Sequence, residues 1–170
     1  QMARLRGHVG IGHCRYPTAG SSGSDEAQPF YANAPFGLSL AHNGNLTNTE
    51  TLRREVSEQD HRHINTQSDS EVLLNVLAHE LLEQGALNPQ SALKAVEGVH
   101  RRVSGGYSVV ATVMGLGLLA FRDPNGIRPL VLGKRETLLT DEYAVASESV
   151  ALDILGFTRL RDIAPGEAVV

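Results

Sequence analysis

The chain has 170 residues, 41% hydrophobic and 20% charged, with a formal net charge of -4. That is the profile of one soluble domain with its own core, and the charge argues against a general nucleic-acid binder, which would carry a basic surface. The single cysteine, Cys14, excludes an intrachain disulfide and fits a cytoplasmic protein; no signal peptide and no run of about 18 apolar residues is present, so no membrane partner is expected.

A first strand is expected over residues 8–15, where Val9, Ile11 and His13 alternate with glycines. A Gly- and Ser-rich loop follows over 18–26. Residues 36–42 alternate (Leu38, Leu40) as a second strand, which Asn43-Gly44 is expected to end. Thr47-Asn48-Thr49-Glu50 and Ser68-Asp69-Ser70-Glu71 both have capping-box spacing and open two helices. The second runs over 72–84 with Leu73, Leu74, Leu77 and Leu81 on roughly one face, and Gly85 stops it. Asn88-Pro89 opens a third helix with a stripe of Ala92, Val96, Val99 and Val103, ended by Gly105-Gly106. The paired Arg53-Arg54 and Arg101-Arg102 read as solvated faces of such helices. The period then changes to strands over 107–114, 116–121, 129–132, 137–139 and 143–147, with a turn at Asp123-Pro124-Asn125-Gly126 and a short helix over 150–155. The class is α+β. The chain opens on Gln1 and closes on a strand-like Glu167-Ala168-Val169-Val170, so both ends are expected to be cut.

Four places offer chemistry. Asp69 lies in a first helical turn, where free N–H groups and the dipole keep a carboxylate ionised and able to bind an ammonium group; asparate is also simply favoured there. Arg15 could fork onto a carboxylate, with Thr18 adding a hydroxyl, or could be a surface arginine beside a capped turn. Asn43-Gly44 is ordinarily a turn, yet an Asn amide beside a glycine N–H also makes an oxyanion hole. Cys14 is the only thiol, with His13 or His42 as a possible base. Strand alternation, however, turns Cys14 toward the core if Arg15 faces a ligand. His61 and His63 lie in a polar segment without further ligands, so no metal site is expected. The 21–24 loop lacks the Gly-Lys-Ser/Thr ending of a phosphate cradle.

Taken together, Gly12-His13-Cys14-Arg15-Tyr16-Pro17-Thr18-Ala19-Gly20, Ala41-His42-Asn43-Gly44-Asn45-Leu46 and Asn65-Thr66-Gln67-Ser68-Asp69-Ser70-Glu71 resemble the class II glutamine amidotransferases, which are N-terminal-nucleophile hydrolases. Residues 121–130 (Phe-Arg-Asp-Pro-Asn-Gly-Ile-Arg-Pro-Leu), Ala146-Ser147-Glu148-Ser149 and Ala164-Pro165-Gly166-Glu167-Ala168 resemble the branch of that family acting on phosphoribosylpyrophosphate, the amidophosphoribosyltransferases. The form of residues 15–22 is similar to the bacterial group without an iron–sulfur cluster. Other class II enzymes, such as glucosamine-6-phosphate synthases, share the Arg, Asn-Gly and Asp motifs. A non-catalytic glutamine-binding module is the alternative of a different class.

The resemblance implies a four-layer αββα sandwich truncated at both ends, with residues 1–170 as a partial glutaminase domain. Glutamine is the implied partner. Arg15 would hold its α-carboxylate and Asp69 its α-ammonium, with Thr18 nearby; Asn43 and Gly44 would form the oxyanion hole. The nucleophile would be an N-terminal cysteine preceding Gln1, so these residues alone are expected to be inactive. A phosphoribosyltransferase domain would follow Val170 and use the released ammonia to make phosphoribosylamine, the first step of purine synthesis. Mg²⁺ is expected only with that domain, and a homo-oligomer only in the full-length protein. Cys14 stands where the family more often has valine or threonine.

Overall fold

The computed structural model describes residues 7–14 and 26–170. Its centre is the antiparallel pair β2 (Leu38–Leu46) and β3 (Gly105–Val113), in register from Leu38 opposite Val113 to Leu46 opposite Gly105. The short β1 (Phe30–Ala32) pairs with only Leu38–Leu40 of β2. On the other side follow β4 (Gly117–Arg122) and β8 (Ala168–Val169), completing a five-stranded sheet in the order β1-β2-β3-β4-β8.

Strand alternation gives this sheet two apolar faces. Leu38, Leu40 and Leu46 of β2 share a core with Tyr107, Val109, Ala111 and Val113 of β3 and with Leu119 and Phe121 of β4. Against that face lie α1 (Thr49–Glu58), α2 (Asp69–Glu83) and α3 (Pro89–Arg102), which contribute Leu52, Val72, Leu73, Leu77, Val96 and Val99. Val110, Ala120 and Val169 point the other way. They meet Leu132 and Val145 of a second sheet and Leu130 and Ile163 at its strand ends; that sheet is ordered β6-β5-β7 and built from β5 (Val131–Glu136), β6 (Asp141–Ala146) and β7 (Thr158–Asp162). Behind it α4 (Ser149–Ile154) seats Leu152 on Gly133, where an added Cβ would come within 2.9 Å of the leucine. The result is the expected αββα layering.

Several expectations need correction. Residues 7–14 form no strand: Val9 is 58% exposed, and no described strand supplies the ladder that a strand requires. The second strand does not stop at His42 but runs through Asn43-Gly44 to Leu46, because Gly44 (φ 149°) keeps pairing with Tyr107. No capping box forms at residues 47–50. The N-cap is Asn48, whose amide instead donates to Arg102 O (2.8 Å) and accepts from Ser104 N (3.0 Å), joining the start of α1 to the end of α3. Ser68 does cap α2 through Ser70 N, but Glu71 turns away to accept four bonds from Asn65 and Thr66, ordering the entry to the helix. Those bonds hold its carboxyl below the usual range, against the opposing effect of burial. Residues 137–139 are the β5–β6 turn, with Leu138 and Leu139 fully exposed, and not a strand. Arg102 is no solvated face residue: it pairs with Asp60 (2.8 Å) and Glu80 (3.3 Å) between the helices. The third helix matches its signals, with Asn88 as N-cap and Pro89 as the first helical residue, and Asn88 and Ser91 add a reciprocal capping box around that start.

Candidate functional site

The site grows from the hydrogen-bond phase of β2. In an antiparallel pair, alternate residues turn their N–H groups toward the neighbour and away from it. Tyr107, opposite Gly44, donates its N–H to Asp123 Oδ2 and accepts from Asp123 N, so it makes no ladder bond to β2. The even-numbered N–H groups of β2 therefore point to its outer edge. His42 N donates to Gln28 Oε1 at 2.6 Å, and Leu46 N to Asp69 Oδ2 at 3.1 Å. Gly44 N–H lies between them on the same edge, beyond the end of β1. Gly44 also lets the strands approach closely, since a Cβ there would come within 2.0 Å of Gly106 O.

The side chains follow the other alternation. His42 faces the helices and Asn43 faces the second sheet. His42 is 3% exposed; its Nδ1 lies 3.1 Å from Ser70 Oγ and 3.8 Å from Asp69 Oδ1. Burial pushes its pKa down to about 4, outweighing the nearby Asp69 carboxylate, while His13 and Arg128 act in the same direction as burial. The imidazole is therefore neutral at pH 7. Asp69 is the first residue of α2, with its side chain 23% exposed to the cleft. The helix start thus holds a carboxylate beside the strand edge that carries Gly44.

On the opposite face, Asn43 Oδ1 accepts a hydrogen bond from Arg128 Nη2. Arg128 belongs to a clamped loop. Asp123, fully buried, accepts from the backbone N–H groups of Tyr107, Asn125, Ile127 and Arg128 at 3.0–3.2 Å. These bonds keep its carboxyl below its ordinary range even though burial pushes upward. Its neighbour Arg122 takes the loop's carbonyls, donating to Gly126 O and Arg128 O. Ile127 rests on Gly106, where a Cβ would come within 2.6 Å of it.

Asn43, Gly44, Asp69 and Arg128 line one cleft with His13 and Cys14. The cysteine is exposed, which corrects the expectation that it faces the core: without a strand over 7–14, alternation does not apply. Arg15 and Thr18 lie outside the described residues. Gln28 and Arg128 were not singled out from the sequence. Arg128 stood inside a quoted motif, but only the three-dimensional pairing links it to Asn43, 85 positions away. Among the described residues, no group of three or more His, Cys, Asp or Glu gathers as metal ligands, and no helix is long and apolar enough to cross a membrane.

Residues 13–153 match the glutamine amidotransferase domain family. The amidophosphoribosyltransferases of Pseudomonas aeruginosa and Escherichia coli are 63% and 58% identical over 170 and 171 residues, covering 99% of this chain and 34% of each relative. Two solved structures superpose on 92% of the chain and cover 31% of their own. One is the Bacillus subtilis glutamine phosphoribosylpyrophosphate amidotransferase with ADP and GMP (TM-score 0.69, 32% identity); the other is described as the allosteric regulatory enzyme of purine biosynthesis (TM-score 0.72, 34% identity). The chain spans about a third of the length of these relatives, and its layering is the N-terminal-nucleophile hydrolase fold that they share.

Proposed function

The chain belongs to the glutamine amidotransferase domain family, and from that premise we propose that it binds glutamine and directs the hydrolysis of its side-chain amide to glutamate and ammonia. The observation that carries this reading is the convergence of Asn43, the outward Gly44 N–H and the Asp69 carboxylate on one cleft. Asp69 takes the α-ammonium of glutamine, and Arg15, with Thr18 beside it, takes the α-carboxylate in a forked pair. The family resemblance assigns the attack to the thiolate of an N-terminal cysteine outside these residues, with its own α-amine as base. The sulfur bonds to the side-chain amide carbon, and the carbonyl oxygen becomes an oxyanion. Asn43 Nδ2 and Gly44 N–H donate to that oxygen. Collapse expels ammonia, which takes the proton held by the amine, and water then cleaves the thioester to give glutamate.

In the full-length protein the ammonia passes to a phosphoribosyltransferase portion, replaces the pyrophosphate of phosphoribosylpyrophosphate and yields phosphoribosylamine, as the names of the relatives support. Mg²⁺ belongs with that portion in this proposal. The same proposal takes the full-length protein as a cytoplasmic homo-oligomer; the free thiol of Cys14 suits that setting, and the motif resemblance alone supports self-association. The test uses Asp69→Asn and Arg15→Ala in the full-length protein. Both should raise the Michaelis constant for glutamine strongly, because each removes a contact present before and during reaction. Activity with free ammonia should survive. Equal loss of both activities would reassign the two residues to folding.

A further inference from the structure

An oxyanion hole built on an asparagine has a weakness: the amide has two ends of opposite character. Its NH2 stabilises an oxyanion, whereas a flip of the same side chain presents a carbonyl oxygen and repels it. Packing hardly distinguishes the two, because the ends are nearly equal in size. Something must choose.

Resting on the amide-hydrolysis reading above, we propose that Arg128 is a positioning residue of the oxyanion hole, fixing Asn43 so that Nδ2, and not Oδ1, is presented to the substrate. A guanidinium carries only donors and stays charged at any physiological pH. Facing Nη2, Asn43 must turn its oxygen toward it, as the structure has it; the flipped amide would set NH2 against a cation. The neutral amide groups of Asn or Gln could not impose this choice, since each can both donate and accept.

Arg128 is itself held for the task. Its N–H is bound by buried Asp123, its carbonyl by Arg122 Nε at 2.6 Å, and its neighbour Ile127 is seated on Gly106. Adjacent residues of opposite charge, Arg122 and Asp123, thus take the carbonyls and the amides of one short loop. Arg128 Nε is buried and has no hydrogen-bond partner among the described residues, so the fork is committed through its end nitrogen. The bond to Asn43 also draws electron density from the amide and sharpens Nδ2 as a donor.

The test is a double-mutant cycle on glutamate release by the full-length protein, with Arg128→Met, Asn43→Ala and the pair, plus Arg128→Lys. Arg128→Met should lower turnover about 10- to 100-fold, less than deletion of an oxyanion donor, because a freely flipping amide still visits the productive state. The Michaelis constant for glutamine and the ammonia-dependent activity should hold. In the Asn43→Ala background, Arg128→Met should cost nothing further, since its effect passes through the amide. Arg128→Lys, again donor-only, should recover turnover relative to Arg128→Met, which a purely structural arginine would not require. If Arg128→Met does not fold, Arg128→Gln replaces it with the same expectations. Additive losses in the pair, a rise in the Michaelis constant alone, or Lys no better than Met would each overturn the assignment to Arg128. A fully active Asn43→Ala would remove the oxyanion hole and this inference with it, whereas a slow Asn43→Ala beside a normal Arg128→Met would defeat this inference alone.

Discussion

His42 is locked into its neutral form at physiological pH by burial between β2 and the start of α2. That state has a consequence for stability. The unfolded chain takes up a proton near pH 6.5, while the folded imidazole resists until about 4. Above 6.5 the group contributes no pH dependence; as pH falls from 6.5 toward 4 it drains stability, by on the order of 3 kcal/mol over the whole span. His42→Gln keeps a partner for Ser70 but cannot titrate. Urea midpoints at pH 7, 6 and 5 should therefore fall more steeply for the natural protein than for this variant, and parallel slopes would contradict the burial account. Glu71 and Asp123, held low by their hydrogen bonds, act in a lower window: their contributions are present above the ordinary carboxylate range and vanish as pH drops through their folded values. Of the site residues, Asp69, Asn43 and Gly44 could be singled out from residue type and motif. His42 could be named, but not its protonation, because that depends on which face of β2 it occupies.

Elements show where local signals and tertiary bonds part company. The start of α3 is local: Asn88 and Ser91 satisfy each other's backbone N–H groups within one turn, and the Asn88-Pro89 pair marks the place in the sequence. The start of α1 is not local, since Asn48 spends its amide on Arg102 and Ser104, more than 50 positions away. Urea denaturation separates the two accounts. Thr47→Ala should be close to neutral, because no cap depends on it, while Asn48→Ala should cost about 2 kcal/mol through two lost hydrogen bonds. The reverse ranking would restore the capping box at residues 47–50. Loop 123–128 has the same character on a larger scale. The turn at Asp123–Gly126 is legible from its residues, whereas the four amides converging on the Asp123 carboxylate are not. Asp123→Ala strands those amides and should destabilise the protein by about 3 kcal/mol or more, seen as a lower thermal midpoint. An unchanged midpoint would show that the loop holds itself.

At the scale of the whole molecule, two packed sheets flanked by helices leave a stretch of the β2 edge unpaired by β1, where β1 stops and β2 continues. The α+β class, the helical middle and the family were legible because they rest on period, composition and contiguous motifs. The open edge was not: Asn43-Gly44 looks like a chain reversal until the register with Ser108 and Tyr107 shows it inside a strand. Close approach of the two backbones at Gly44 and Gly105 permits that continuation, a Cβ at Gly105 meeting Asn45 O at 2.3 Å. The reading of this edge as an oxyanion hole is tested most directly by the steady-state kinetics of Asn43→Ala in the full-length protein. The carbonyl oxygen gains its charge only as the thiolate attacks, so the lost donor served the transition state more than bound glutamine. Turnover with glutamine should fall about 100- to 1000-fold, with the Michaelis constant for glutamine and the ammonia-dependent rate preserved. Normal turnover in that variant would contradict the account and leave Asn43 as a strand residue paired to Arg128.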